Sequence, residues 1–521
     1  MLTNALIPIS RLSTELSRTV RSTSFMLYEH TTFIGKTLPG KLGMSEKARE
    51  VAFGWISENE SHLIEICNKI WEYAELGLIE YKSSKLLADE LEKAGFKVER
   101  GVAGMPTAFV ATYGSGKPVI GIMGEYDALP GLSQKAVPWR EPIKEGAPGH
   151  GCGHNIHGTS GMAAAIAVKV AMEETGLKGT IKFFGTPAEE NASGKVFMVR
   201  DGVFKGVDAV LSHHPGTMNA ATLKSSLANN SVKFHFHGVA SHAAGSPERG
   251  RSALDAVELM NVGVNYLREH VIQEARIHYI IEEGGGQPNV VPAYARSWYL
   301  VRAPEREQVD EIYQRILDIA KGAALMTGTR LEVEFIKGIS NVIPNRVLSE
   351  LIVKNMREIG PPDYTDEELE FAKEIGKTIA PEQKREALRK SKRPDWEKLL
   401  DVLIDRSVPD PWGEGEVSPG STDVADVSWQ APTKEFSTTA WVLGTPGHSW
   451  QVVAQSGMGL GHKSLIFAAK VMAASAIDLM TNEELLKRAW DEFEKRLGGR
   501  RYKSPLPPDL KPPLDLWAKK K

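Results

Sequence analysis

The sequence predicts an α/β protein: a helix-covered, mostly parallel sheet interrupted by a smaller inserted α+β domain. Three observations predict it. Four short apolar segments at 108–113, 119–123, 181–184 and 209–211 are strand candidates, and helical periodicity precedes them and separates the second from the third. Strands that alternate with helices build a largely parallel sheet with both faces covered. From Ser231 the order becomes strand, helix, strand, strand, helix, strand, the β-α-β-β-α-β pattern of a ferredoxin-like unit. Helical periodicity resumes after Pro344, so the unit at 231–340 interrupts a first domain read as 44–230 and 341–500.

Residues 1–43 are rich in Ser and Thr and carry Arg11, Arg18 and Arg21 against only Glu15 and Glu29. They read as a poorly ordered extension or as a weak transit-peptide pattern, with the folded chain starting near Met44. Helical periodicity runs through 45–75 and 84–94, where Leu86, Leu87, Leu91 and Ala94 share a face and Gly95 stops it. The first two strands follow. Between the second and third lies Gly149-His150-Gly151-Cys152-Gly153-His154-Asn155-Ile156-His157, then an apolar helical run at 158–173 with a stop at Gly176. The inserted unit is read as strand 232–237, helix 253–267, strands 277–281 and 295–301, helix 308–320 and strand 331–335. Residues 361–415 form a charged helical insertion with a capping box at Thr365 and Glu368. Its basic cluster, Lys384 to Arg393, is expected to be a solvated helix face. The tail at 501–521 is Pro-rich and expected to be extended over 504–513.

Composition narrows the function. The 521 residues are 42% hydrophobic and 25% charged, ordinary for a globular protein with room for more than one domain. Lys and Arg number 63 against 66 Asp and Glu, a net charge of −3 that favours neither nucleic acid nor an anionic membrane. Small molecules are the expected partners. Cys67 and Cys152 are the only two cysteines, too few for a disulfide framework, so a reducing, cytoplasmic setting is expected and Cys67 reads as simply buried. No run is expected to reach the roughly 18 apolar residues that span a bilayer.

The chemistry gathers just beyond strand ends, where open α/β sheets bind ligands. Glu125 and Asp127 follow one strand, Glu189 and Glu190 another, His213 and His214 a third. Cys152 and His154 lie two positions apart and can face one site. Adjacent Glu189 and Glu190 point to opposite sides of an extended segment, so one can hold a metal while the other holds a water. Late histidines, His448 and His462, add further donors. Cys, His and Glu from four distant segments can hold two metals with mixed soft and hard ligands, and a carboxylate beside such a centre is what hydrolysis at neutral pH requires.

Seven motifs together resemble one family. They are Glu125-Tyr126-Asp127-Ala128-Leu129-Pro130, Gly151-Cys152-Gly153-His154, Pro187-Ala188-Glu189-Glu190, Ser241-His242-Ala243-Ala244, Asn289-Val290-Val291-Pro292, Gly420-Ser421-Thr422-Asp423-Val424 and Pro446-Gly447-His448-Ser449-Trp450. They resemble the di-metal aminoacylase and carboxypeptidase metallopeptidases, in the branch of aminobenzoyl-glutamate hydrolase and the indole-acetyl-amino-acid hydrolases. The resemblance implies a zinc-peptidase-like catalytic domain and an inserted dimerisation or lid domain. It implies Cys152, His154, Glu190, His214 and His448 as metal ligands, Glu189 as general base and Asp127 as an orienting carboxylate. Position selects His214 over His213 and His448 over His462. His242 would polarise the scissile carbonyl, and Asn289 with Arg302 would hold a substrate carboxylate. Glu125 replaces the first Asp of its motif, and no role is carried over to it. The implied activity is hydrolysis of an N-acyl or N-aroyl amino acid with two divalent ions, zinc or manganese, in each chain of a homodimer. A dipeptidase or carboxypeptidase of the same family, and a non-catalytic module that kept the fold, are the alternatives.

Overall fold

The computed structural model describes residues 43–518. The expectation for 1–42 lies outside the described residues. The larger sheet has six strands in the spatial order Lys97–Arg100, Phe109–Ser115, Gly179–Gly185, Val119–Gly124, Ala209–His213 and Thr433–Phe436. The last four run parallel to one another. Lys97–Arg100 and Phe109–Ser115 join antiparallel at one edge. Both end strands escaped sequence reading, because KVER and TKEF are too polar and too short to show an apolar pattern.

The helix His154–Thr175 makes the crossover from Val119–Gly124 to Gly179–Gly185, and it is buried on every side from His154 to Val168. Its glycines explain the close seat. A Cβ on Gly158 would lie 2.6 Å from the Glu125 carbonyl oxygen, and one on Gly161 2.7 Å from that of Met123. The helix therefore rests directly on the strand, with its first residue at the strand's carboxyl end. It starts four residues before the expected 158, because His154 to His157 are polar yet buried and interrupt no helix. Gly153 at φ 71° supplies the turn into it, and Gly176 at φ 76° ends it as expected.

The inserted unit has a four-stranded antiparallel sheet in the order Arg330–Ile339, Ala228–His237, Tyr294–Ala303, Arg276–Glu283. Helices Ala253–Leu267 and Arg306–Thr327 cover one face, packing on Val232, Phe234, Phe236, Tyr299 and Val301. The alternate residues of those strands, Ser231, Lys233, Leu300 and Arg302 among them, stand on the other face. Where the chain enters and leaves this unit, the Arg306 guanidinium donates to the carbonyls of Asn229 at 3.0 Å and Ile339 at 3.1 Å. Ser340, just past the exit, donates its N–H to Asp426 at 3.0 Å.

Two further expectations are corrected. The 384–393 cluster is not wholly solvated: Arg393 is 1% exposed and pairs with Asp405 at 2.5 Å and Asp395 at 2.6 Å, because the insertion folds back and needs a buried cation to hold those acids. The tail has no helix or strand over 504–513 and packs on the molecule. Leu506 is buried, and the Trp517 indole donates to the Gly77 carbonyl at 2.8 Å. One helix, Gly459–Thr481, is long and apolar enough to cross a membrane, but 83% of its apolar window is buried inside the protein. Core packing uses the same composition as a span. The capping box is present, with Glu368 N–H donating to the Thr365 hydroxyl at 3.3 Å.

Candidate metal centre and cleft

The donors predicted from distant segments meet at the carboxyl ends of the parallel strands. Cys152, His154 and His214 offer ligand atoms within 4.8 Å of one another, and so do Cys152, Glu190 and His448. Cys152 belongs to both groups. Its Sγ lies 3.3 Å from Nε2 of His214, and Nε2 of His448 lies 3.3 Å from Oε1 of Glu190.

Hydrogen bonds behind the rings decide which histidines can be ligands. His154 Nδ1 faces two acceptors, the Asp127 carboxylate at 2.9 Å and the Asp127 carbonyl at 3.1 Å, so Nδ1 carries the proton and Nε2 keeps its lone pair. His214 Nδ1 likewise donates to the Pro215 carbonyl at 2.9 Å, freeing Nε2. Asp127 thus fixes the direction of the His154 ring, and its second oxygen accepts the Glu190 N–H at 3.0 Å. His157 is the opposite case. Its Nδ1 accepts the Glu125 N–H at 3.0 Å, so the proton sits on Nε2. The grouping of Glu125, His157 and Glu435 therefore offers a donor N–H where a metal needs a lone pair.

The rejected histidines are occupied elsewhere. His213 is buried between Ser160 at 3.0 Å and Thr438 at 2.8 Å, and burial drives its pKa well down. His462 bonds Asn68 at 2.8 Å, and burial lowers it to about 4.

A metal fits this donor set. His154 Nε2 and Glu190 Oε1 are buried and make no hydrogen bond in the protein, their near polar neighbours being Glu125 Oε2 at 3.1 Å and His448 Nε2 at 3.3 Å. The titration directions agree. Burial pushes the Cys152 thiol up, but His214 and His154 outweigh it and bring it down to about 6. Contacts with Cys152 and then Glu190 lift His448 to about 10, and Cys152 lifts His214 to about 10 against its burial. Protons here satisfy a demand for positive charge that a divalent cation meets in their place.

Glu189 stands beside these donors, within reach of His154 and Glu190. Burial, then Glu125, Asp423 and Glu190, hold the Glu189 carboxyl well above its usual range, with Lys195 opposing. The loop that aims it is strained: Ala188 sits at φ 58°, and His448 at φ 54°. A non-glycine residue held there costs on the order of 1–3 kcal/mol, and such strain clusters at functional sites. Buried Glu80 pins Ala188 by accepting its N–H at 2.8 Å. Gly77 permits the contact, since a Cβ there would lie 2.8 Å from the Ala188 Cα.

Sequence reading missed an ionic row beneath the centre. Lys195, fully buried, lies 2.6 Å from Glu125 and 2.7 Å from Asp423. Glu125 thereby gains a structural place under His154, 3.1 Å from its Nε2. A lysine inside the apolar stretch Gly194–Arg200 was the available signal.

A cleft of about 760 Å³ opens over Cys152, Glu189, Glu190, His214 and His448 and extends to Ser421. Arg302 reaches its rim, donating to the Ser421 hydroxyl at 3.3 Å. His242 and Asn289 are not among the cleft-lining residues. They stand together on the inserted unit, exposed, joined by the Ala243 N–H to Asn289 carbonyl bond at 3.0 Å. His242 Nδ1 accepts the Gly245 N–H at 3.0 Å, so its Nε2 carries an outward proton.

The profile of peptidase family M20/M25/M40 matches residues 121–451. The chain is 42% identical over 466 residues to one component of the p-aminobenzoyl-glutamate hydrolase of Escherichia coli K12, covering 88% of this chain and 97% of that protein. It is 28% identical to the mouse (Mus musculus) Xaa-Arg dipeptidase, over 85% of this chain and 91% of that one. Its fold resembles an aminobenzoyl-glutamate utilization protein of Klebsiella pneumoniae, with TM-score 0.54, 19% identity, 84% of this chain and 98% of that one covered.

Proposed function

Because the chain belongs to the M20/M25/M40 peptidase family, we propose that it is a metal-dependent amidohydrolase that cleaves the amide bond of an N-acyl or N-aroyl amino acid. The observation that carries this reading is the meeting of Cys152, His154, His214, Glu190 and His448 around a cleft with Glu189 beside them. Two divalent ions, zinc or manganese, would share Cys152, one with His154 and His214, the other with Glu190 and His448. Held there, they supply Lewis acidity toward a carbonyl oxygen and bring the pKa of water toward neutrality.

The chain's own residues account for the rest. Glu189 removes a proton from the attacking water and delivers it to the amide nitrogen, which leaves as the free amine while the acyl carbon becomes the acid. Asp127 keeps the proton on His154 Nδ1 throughout, which preserves the ligand lone pair. Arg302 at the cleft rim holds the carboxylate of the departing amino acid by charge-assisted hydrogen bonds; Asn289, expected to act with it, stands beside His242 outside this cleft and would follow His242 into the neighbour's site. His242 carries an N–H suited to a developing oxyanion. Since it does not line the cleft of its own chain, we place it in the neighbour's site within a homodimer, an isologous arrangement in which each chain completes the other.

The 28% identity to a dipeptidase favours a second reading in which the acyl group is an aminoacyl group. One panel separates the two. Protein reloaded with zinc or manganese is assayed for amino acid release from 4-aminobenzoyl, indole-acetyl and aminoacyl conjugates of the same amino acids. Preference for the aroyl and indole-acetyl conjugates is expected. Preference for dipeptides would establish the second reading, and release from none would refute both.

A further inference from the structure

The turn from Glu75 to Glu80 links helix Glu60–Tyr73 to helix Tyr81–Lys93. It holds two of the segments that carry the chemistry. The Glu75 carbonyl accepts the Ala128 N–H at 2.8 Å, beside Asp127, and the Glu80 carboxylate accepts the Ala188 N–H at 2.8 Å, beside Glu189. Glu80 is itself fixed by the Thr107 hydroxyl, which donates to it at 2.9 Å. Around this contact three residues other than glycine lie in the left-handed region: Ala74 at φ 42°, Leu78 at φ 70° and Ala188 at φ 58°. Such strain persists only where the surroundings over-determine it.

Part of those surroundings arrives from the far end of the chain. After helix Glu483–Leu497 the tail is tied down in steps. Tyr502 donates to Asp426 at 2.9 Å, Leu506 is buried in the apolar cluster that also holds Leu78, Ala188 and Ala192, and the Leu510 carbonyl accepts from Arg200. Farther on, Leu514 and Leu516 are exposed while Trp517 turns inward. Its indole N–H donates to the Gly77 carbonyl at 2.8 Å, across 440 residues of sequence. Gly77 is buried, so its carbonyl needs a donor from within the protein. It is also the residue whose missing Cβ lets the turn lie against Ala188. The tail therefore ends on the middle of the turn that holds the base loop.

Resting on the amidohydrolase reading, we infer that Trp517 is a positioning residue for Glu189 and acts on it through the 75–80 turn. The route is short. Trp517 fixes the Gly77 carbonyl, the turn carries Glu80, and Glu80 holds the Ala188 N–H one residue before the base. A general base works only within hydrogen-bond reach of the proton it takes, so a small displacement of its loop lowers the rate without touching the substrate. The apolar packing of Leu506 brings the indole to its place.

Trp517→Phe keeps an aromatic ring and removes the N–H, whereas Trp517→Ala removes both. With 4-aminobenzoyl-glutamate as substrate, both should lower kcat by roughly three- to tenfold, the worth of one neutral hydrogen bond, with KM and bound metal at wild-type levels. In a Glu189→Gln background, where the base is already gone, neither should lower the residual turnover further. Leu516→Ala, exposed beside it, should behave as wild type. Wild-type kcat in both Trp517 variants would overturn the inference. So would a raised KM, a loss of metal, or an equal proportional fall in the Glu189→Gln background, each the mark of a general loss of structure. Hydrogen exchange reads the same contact without substrate: segments 75–80 and 187–193 should exchange faster in both variants by a similar factor. If wild type hydrolyses no conjugate, the amidohydrolase reading fails by itself, and unchanged exchange in the variants still overturns the role of Trp517.

Discussion

Glu189→Gln is expected to lower turnover by about two to four decades, the usual cost of removing a general base, while bound metal stays at the wild-type level. The substitution keeps the shape of the side chain and removes its capacity to take a proton. Neither of the two ligand groups that share Cys152 contains Glu189, although it does lie within reach of His154 and Glu190. Turnover with elemental analysis on the same preparation therefore separates the roles. Loss of metal in parallel with activity would make Glu189 a ligand and leave the site without an identified base.

Mixing two nearly inactive proteins should restore activity. Glu189→Gln removes the base from a chain's own site, whereas His242→Ala, in the homodimer proposed above, removes the oxyanion donor from the neighbour's site. In a mixed dimer one site then carries both defects and the other none. Random pairing makes half the dimers mixed, so roughly a quarter of wild-type activity should return on refolding the chains together. Measured against parents reduced a hundredfold or more by the loss of the base or its oxyanion partner, this is a large recovery. If His242 serves its own chain, every site in the mixture has one defect. Confirmed mixed dimers without recovery would rule out the trans assignment.

The fold was largely legible because its signals are local. The apolar strands, the Gly176 stop and the inserted strand and helix order can each be read in a short window, and strand bounds moved by only a few residues. Thr433–Phe436 was not legible, since its place depends on pairing with Ala209–His213 more than two hundred residues earlier. The metal donors were legible as residue types beyond strand ends. The choice of His214 over His213 came from resemblance; in the fold His213 is held between Ser160 and Thr438, whereas the His214 Nδ1 donates to the Pro215 carbonyl. The pairing of Lys195 with Asp423 stayed hidden, although Asp423 lies in one of the seven motifs, because a buried ion pair has no sequence period.

The central claim is a two-metal centre that shares Cys152. Anomalous diffraction from crystals grown with zinc or manganese tests it most directly. The expected map has two peaks about 3.5–4 Å apart, as in two-metal hydrolases, with Cys152 Sγ between them, His154 and His214 on one side and Glu190 and His448 on the other. A single peak, or peaks that leave Cys152 without a metal, would contradict it.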